Sequence, residues 1–401
     1  MELTRREFLL AGTAVAAGLT SSSGTPGLAA RPVAGGGGAG KVRKVIYDQD
    51  HRGPLSTDTV GTLLMLQADN VELLGITTVA CDMWVKQETA YALRLLELMG
   101  RTEVPVYMGA DRPFLNNKVE AHMRYELFGS RRIEAFLGAM GKDHPGPDEV
   151  QPLLPPYDRF AEIQAQPEHA ADFIIRTVRA HPNEVTIYCG GPLTNLALAA
   201  MLAPDIVPIT QEVVFMGGSY HRSTSSVNVY FDAEAAKIAF RAGWPKFTVV
   251  TADLAETMHM GDRGMVDAIV ERGHFPIADL FRDYEQKPHR ENPGLRWFRL
   301  PDEMMAAQII EPTIFTDTKE MYVDVYTEET GHYGDTYFWD GDWDKSPFLT
   351  GSPLEGQNRP SPEAKKLQIL MDLNRDRFAE WFVDLLTRPI RKPAGARAAA
   401  R

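Results

Sequence analysis

Val45-Ile46-Tyr47-Asp48-Gln49-Asp50 is an apolar, β-branched run that ends in two carboxylates; the turn pair Gly53-Pro54 and a third carboxylate, Asp58, follow. The run reads as a strand over 42–47. In an open α/β sheet, ligands bind just beyond the carboxyl ends of the strands. Side chains two apart on a strand share a face, so Asp48 and Asp50 are expected to aim at one point there. Carboxylates that close repel one another unless a cation or a shared proton compensates. A hard metal ion with oxygen ligands is therefore the first expectation, and a solvated acidic turn is the plain alternative.

Outward from this stretch, strands and helices alternate. Strands are expected at 71–80, 104–108, 184–189, 212–216 and 247–252. The run 71–80 (VELLGITTVA) is almost continuously apolar, as when both sheet faces are covered. Helices are expected at 59–68, 87–99, 170–180, 196–202, 233–242, 303–310 and 375–386. Gly100 stands just past the 87–99 helix as a C-cap. Repeated strand–loop–helix units predict an α/β fold: an open, mainly parallel sheet flanked by helices, Rossmann-like at its core. Residues 110–166 read as one irregular segment, a lid or binding loop. A Tyr- and Trp-rich stretch covers 322–343.

The 401-residue chain has 44% hydrophobic and 24% charged residues, as in globular proteins, and a formal net charge of -12. That charge argues against a nucleic-acid partner, because phosphate binding needs a basic surface. Arg5-Arg6 precedes the short apolar run 11–19, and small residues close it at 27–30. This reads as a twin-arginine export signal over 1–30, and so a periplasmic or secreted protein with no stable membrane anchor. The run is too short to span a bilayer. A flexible, glycine-rich linker (31–41), one domain (42–390) and a disordered tail (391–401) complete the expected organisation. The two cysteines, Cys81 and Cys189, each close an expected strand; a disulfide and two buried thiols are both open.

No Gly-Lys-Ser/Thr phosphate loop, Gly-x-Ser-x-Gly elbow or His-Glu-x-x-His helix occurs. With no pair of histidines at zinc spacing, the oxygen-rich set favours calcium or magnesium.

Five segments, in order, resemble the inosine–uridine-preferring nucleoside hydrolases: Asp48-Gln49-Asp50, Leu74 to Val79 (LGITTV), Pro105 to Ala110 (PVYMGA), Gly191 to Ala197 (GPLTNLA) and Phe215-Met216-Gly217-Gly218. The resemblance covers about 42–390. It implies a calcium ion held by carboxylates and one backbone carbonyl, and hydrolysis of a nucleoside or related N-riboside by an activated water. It implies Asp50 as metal ligand and catalytic base, Asp302 as distal metal ligand and Thr194 as the carbonyl donor. Met216 and Asn228 match residues lining the sugar pocket. It also implies a homo-oligomer, a dimer or tetramer.

The departures are specific. The family has two adjacent aspartates four and five positions beyond the second Asp of its motif. Here the loop is longer and only Asp58 remains, in the place of one or the other. Asp82 stands where the family has a ribose-binding Asn, Ser226 where it has Glu, and Pro301 where it often has the His that protonates the leaving base. Asp48 is a possible further site residue. Asp302 also suits the start of the helix that follows it, and His289 and Trp297 suit a solvated loop. Two other functions fit parts of the pattern: an exported nucleoside- or sugar-binding relative without turnover, and an Asp-x-Asp phosphohydrolase using Asp48 as nucleophile.

Overall fold

A computed structural model describes residues 42–128, 137–220, 226–339 and 364–392. The expected signal, the linker and the tail from 393 onward lie outside the described residues, as does 340–343 of the aromatic stretch. Among the described residues no helix is long and apolar enough to cross a membrane.

The strands are β1 (Arg43–Gln49), β2 (Val71–Thr78), β3 (Val106–Met108), β4 (Val185–Cys189), β5 (Glu212–Met216), β6 (Phe247–Val250), β7 (Phe315–Val325), β8 (Thr336–Trp339) and β9 (Lys365–Leu373). They form one sheet in the order β3-β2-β1-β4-β5-β6-β9-β7-β8. The pairings from β3 through β6 to β9 are parallel, while β7 runs antiparallel to both β8 and β9. The helices that matter for the site are α1 (Thr57–Gln67), α2 (Val85–Leu98), α3 (Lys118–Phe128), α4 (Ala170–Ala180), α5 (Thr194–Leu202), α6 (Val227–Phe231), α7 (Ala233–Arg241) and, further on, α8 (Ala252–Ala255), α9 (Met265–Arg272), α10 (Ile277–Phe281), α11 (Lys287–Glu291), α12 (Pro301–Ile310) and α13 (Arg375–Thr387).

Strand alternation explains why the sheet is covered twice. Val45 and Tyr47 pack into an apolar layer with Leu63, Leu64, Met304 and Phe382. Ile46, between them, enters the opposite layer with Ile174, Ile187, Phe215 and Phe240. The direction of strand succession reverses between β1 and β4, so the crevice of this doubly wound sheet opens at their carboxyl ends.

Three expectations are corrected. The first strand runs two residues further, to Gln49, so Asp48 lies within the paired region opposite Cys189 and Thr77. The 110–166 segment holds α3, whose Val119, Met123 and Leu127 face outward and blur the amphipathic pattern that reveals a helix. The aromatic stretch and the run 365–373 build the antiparallel end of the sheet. Cys81 and Cys189 are free, buried thiols.

Asn195 ties the strand ends together. Its Nδ2 donates to Asp48 Oδ1 (2.7 Å) and to the Thr78 carbonyl (3.0 Å), and its Oδ1 accepts from Ala110 N–H (2.9 Å). Asn195→Ala removes three buried hydrogen bonds, including the one that Ala110 N–H makes, while Asp48 keeps Thr77 and the Thr78 carbonyl keeps Gly109 N–H. It is expected to cost about 3 kcal/mol or more, measured by urea unfolding; a loss within experimental error would show that the network is dispensable.

Candidate active site

Ser56 caps α1: its Oγ accepts from Thr59 N–H and donates to Asp58 Oδ2 (2.7 Å). That places Asp58 in the first helical turn, where the helix dipole favours an anion. Gln49 Nε2 donates to Asp58 Oδ1 (3.0 Å), and the Arg52 N–H donates to Oδ2 (3.3 Å). Across from it, Asp302 sits in the first turn of α12, with Oδ2 accepting from Thr57 Oγ1 (2.5 Å) and Oδ1 buried without a partner. Tyr47 and Tyr188, stacked at 4.2 Å between ring centres, donate to the Asp58 and Asp302 carbonyls respectively. Gly61 lets α1 come this close: a Cβ there would lie 2.7 Å from Tyr47 Oη and 3.3 Å from Asp302 Cβ.

Asp50 lies just past the last paired residue of β1. It is held against the turn after β4, where a Cβ on Gly191 would lie 3.0 Å from Asp50 Oδ1. Asp82, after β2, is paired at 3.7 Å with Arg52, whose side chain is 54% exposed. Burial, then the charges of Asp58, Asp82, Glu88 and Asp302, push the Asp50 carboxyl well above the usual carboxylate range. Burial and Asp302 do the same to Asp58. Burial lifts Asp302 to about 6 against its hydrogen bonds. Burial raises Asp82 too, with Arg52 pulling it back.

Of the expected site residues, Asp50 and Asp82 come together beside Cys81, Asp58 and Asp302 face each other from the starts of α1 and α12, and the charges of all four interact. The others are placed differently. Asp48 is fully buried and bound by Thr77 Oγ1 (2.5 Å) and Asn195. The pleat stops at Gln49, so Asp48 and Asp50 do not share a target: Asp48 Oδ1 is taken up by Thr77 and Asn195. Thr194 opens α5, but its hydroxyl donates to Asp232 (2.7 Å), and the residue lines a separate cavity of about 540 Å³ with Met108, Phe114 and His169. Asn228 donates Nδ2 to the carbonyls of Gly190 and Met216, bracing the ends of β4 and β5. Met216 is half-buried beside it. Ser226 caps α6 and accepts from Gly218 N–H (3.0 Å).

Sequence reasoning passed over two participants. Glu88, fully buried on α2, accepts at Oε1 from the N–H groups of Cys81 (3.2 Å) and Met83 (2.9 Å) and so shapes the loop that carries Asp82. Its signal was an acid in the first turn of the helix that directly follows Asp82. Gln49, on the opposite face from Asp48, reaches Asp58. His289 and Trp297 are not a solvated pair: the rings stack at 3.4 Å with 2° between planes, and His289 is buried beside Glu285.

The family model for inosine-uridine preferring nucleoside hydrolase matches residues 45–380. An uncharacterized protein of Schizosaccharomyces pombe is 30% identical over 287 residues, spanning 69% of this chain and 83% of its own. The pyrimidine-specific ribonucleoside hydrolase RihB of Escherichia coli is 30% identical over 302 residues, spanning 73% and 86%. Among solved structures, the plant nucleoside hydrolase PpNRh1 superposes with a TM-score of 0.66 at 23% identity, covering 87% of this chain and all of that one (100%). The chain belongs to the inosine-uridine preferring nucleoside hydrolase family.

Proposed function

We propose that this protein is a calcium-dependent N-glycoside hydrolase that splits a ribonucleoside or related N-riboside into base and ribose. The observation that carries the reading is the mutual interaction of the Asp50, Asp58, Asp82 and Asp302 carboxylates in a family member. Asp302 Oδ1 is buried without a partner, and Asp58 and Asp302 need a shared positive charge between them. That donor set fits a hard divalent cation. Asp50, Asp58 and Asp302 would hold it. When bound, such an ion acidifies water and orients hydroxyl groups.

The chain's own residues do the rest. Asp50 takes the proton of the attacking water. Asp58 and Asp302, fixed by Gln49, Ser56 and Thr57, keep their negative charge facing the sugar carbon, where positive charge develops. Asp82 contacts the ribose hydroxyls, with Met216 and Asn228 forming the adjoining wall. The export signal, a periplasmic or secreted location and a dimeric or tetrameric state belong to the same proposal.

Ultraviolet base release from a panel of nucleosides, with and without chelator, tests the reading. Chelator-sensitive release supports it. Tight riboside binding without release selects the binding relative instead.

Pro301 cannot donate a proton, so the leaving base is expected to depart with little help. The kcat/KM for p-nitrophenyl riboside should then exceed that for the best natural nucleoside by at least about 100-fold. A ratio near one would mean that an acid is present, to be sought at His289, Arg299 or Glu303.

A further inference from the structure

Beside the carboxylates that face α12, Asp50 has two other neighbours. Asp50, Cys81 and Asp82 each offer one donor atom, and the three atoms lie within 4.8 Å of one another. The turn that presents Cys81 and Asp82 is rigid, because Glu88 Oε1 accepts both the Cys81 and the Met83 N–H. Glu88 is itself fully buried, its Oε2 has no hydrogen-bond partner, and its charge acts on both Cys81 and Asp50. Asn228 is locked by the Gly190 and Met216 carbonyls, which leaves its Oδ1 facing Cys81 Sγ at 3.8 Å. The Asp82 side chain is 23% exposed and gives the trio its opening to solvent.

Calcium and magnesium do not use sulfur ligands. Thiolate with carboxylates suits zinc and its heavier congener cadmium, and three protein donors leave a coordination position open. Cys81 and Asp82 follow β2, whereas Asp302 comes from the start of α12.

We propose that Asp50, Cys81 and Asp82 form a second cation site, selective for a thiophilic divalent ion, whose occupation withdraws Asp50 from hydrolysis. On binding, the thiol proton passes to solvent and the sulfur–metal bond forms; nothing is oxidised or reduced. Binding itself is independent of the hydrolase reading, and only the inhibition rests on it.

The test is titration of the full-length protein with cadmium chloride, followed by the ultraviolet thiolate-to-cadmium charge-transfer band. One equivalent should saturate the band, and zinc should displace it. Cys81→Ser should abolish the band and Cys189→Ser should keep it. Asp82→Asn should keep the band but weaken cadmium affinity by about ten-fold or more. Absence of the band in the wild-type protein, its persistence in Cys81→Ser, or its loss in a folded Cys189→Ser would overturn the site. With calcium saturating, cadmium should inhibit base release, and Cys81→Ser should raise the inhibitory concentration at least about ten-fold. Equal sensitivity of the two proteins overturns the link to Asp50. A protein that shows the band but no turnover removes the hydrolase reading and leaves the cation site standing.

Discussion

Asp50→Asn is expected to lower turnover by at least about three orders of magnitude, the loss seen when a catalytic unit is taken apart. The carboxamide keeps the volume of the side chain against Gly191 but cannot take a proton from water, and it removes one negative charge from the cation's donor set. The same change should not destabilise the fold. Asp50 is buried among Asp58, Asp82, Glu88 and Asp302, so removing its charge relieves repulsion. Steady-state base release and a thermal melt decide the matter together. A variant that keeps about a tenth of wild-type turnover would refute the assignment of Asp50 as base.

Stripping divalent cations is expected to abolish base release, and the stripped protein is expected to lose stability as pH rises. Burial pushes Glu285 up to about 8, and Asp48 and Asp232 to about 7. A carboxyl whose folded value exceeds its unfolded value, near 4, binds its proton more tightly when folded. Its contribution is present at low pH and is lost as pH rises through the folded value. His51 works the other way: burial lowers it to about 3, so its contribution is complete above about 6.5 and lost as pH falls towards 3. Between about pH 6.5 and pH 8 only the carboxyl loss operates. In chelator the melting temperature should drop across that window, and calcium should restore more of it at the upper end, where its carboxylate ligands are ionised. Melts in chelator and in calcium at both values provide the check. An unchanged melting temperature together with chelator-resistant turnover would exclude a bound hard cation.

Much of this was legible in the sequence because parallel strands buried on both faces are nearly uninterrupted apolar runs. Val71 to Thr78 and Val185 to Cys189 are of this kind, and the turns after them carry Asp82 and Gly191. Asp50 and Asp58 could be picked out because carboxylates clustered at the end of an apolar run repel one another unless compensated, and Asp302 through the family resemblance. What escaped notice depended on geometry that spacing does not encode. The end of β1 pairing at Gln49, rather than at Tyr47, sends Asp48 to Asn195 and Asp50 to the crevice. Glu88 reaches the site only because the Cys81–Met83 turn folds back onto the start of α2. The β7–β9 unit was hidden by charged residues, such as Lys319 and Glu320, on the exposed half of a long strand.

The hydrogen bond from Thr57 to Asp302 joins residues 245 positions apart. An ion gripped by Asp58 and Asp302 would thus act as a cross-link, closing a loop that takes in most of the folded chain. Its contribution would arise in part from the disorder it denies to the unfolded chain, a contribution that grows only slowly with the length of loop closed. No fragment that ends before α12 contains the far half of the clasp, so ion affinity reports whether the first and last parts of the domain have come together.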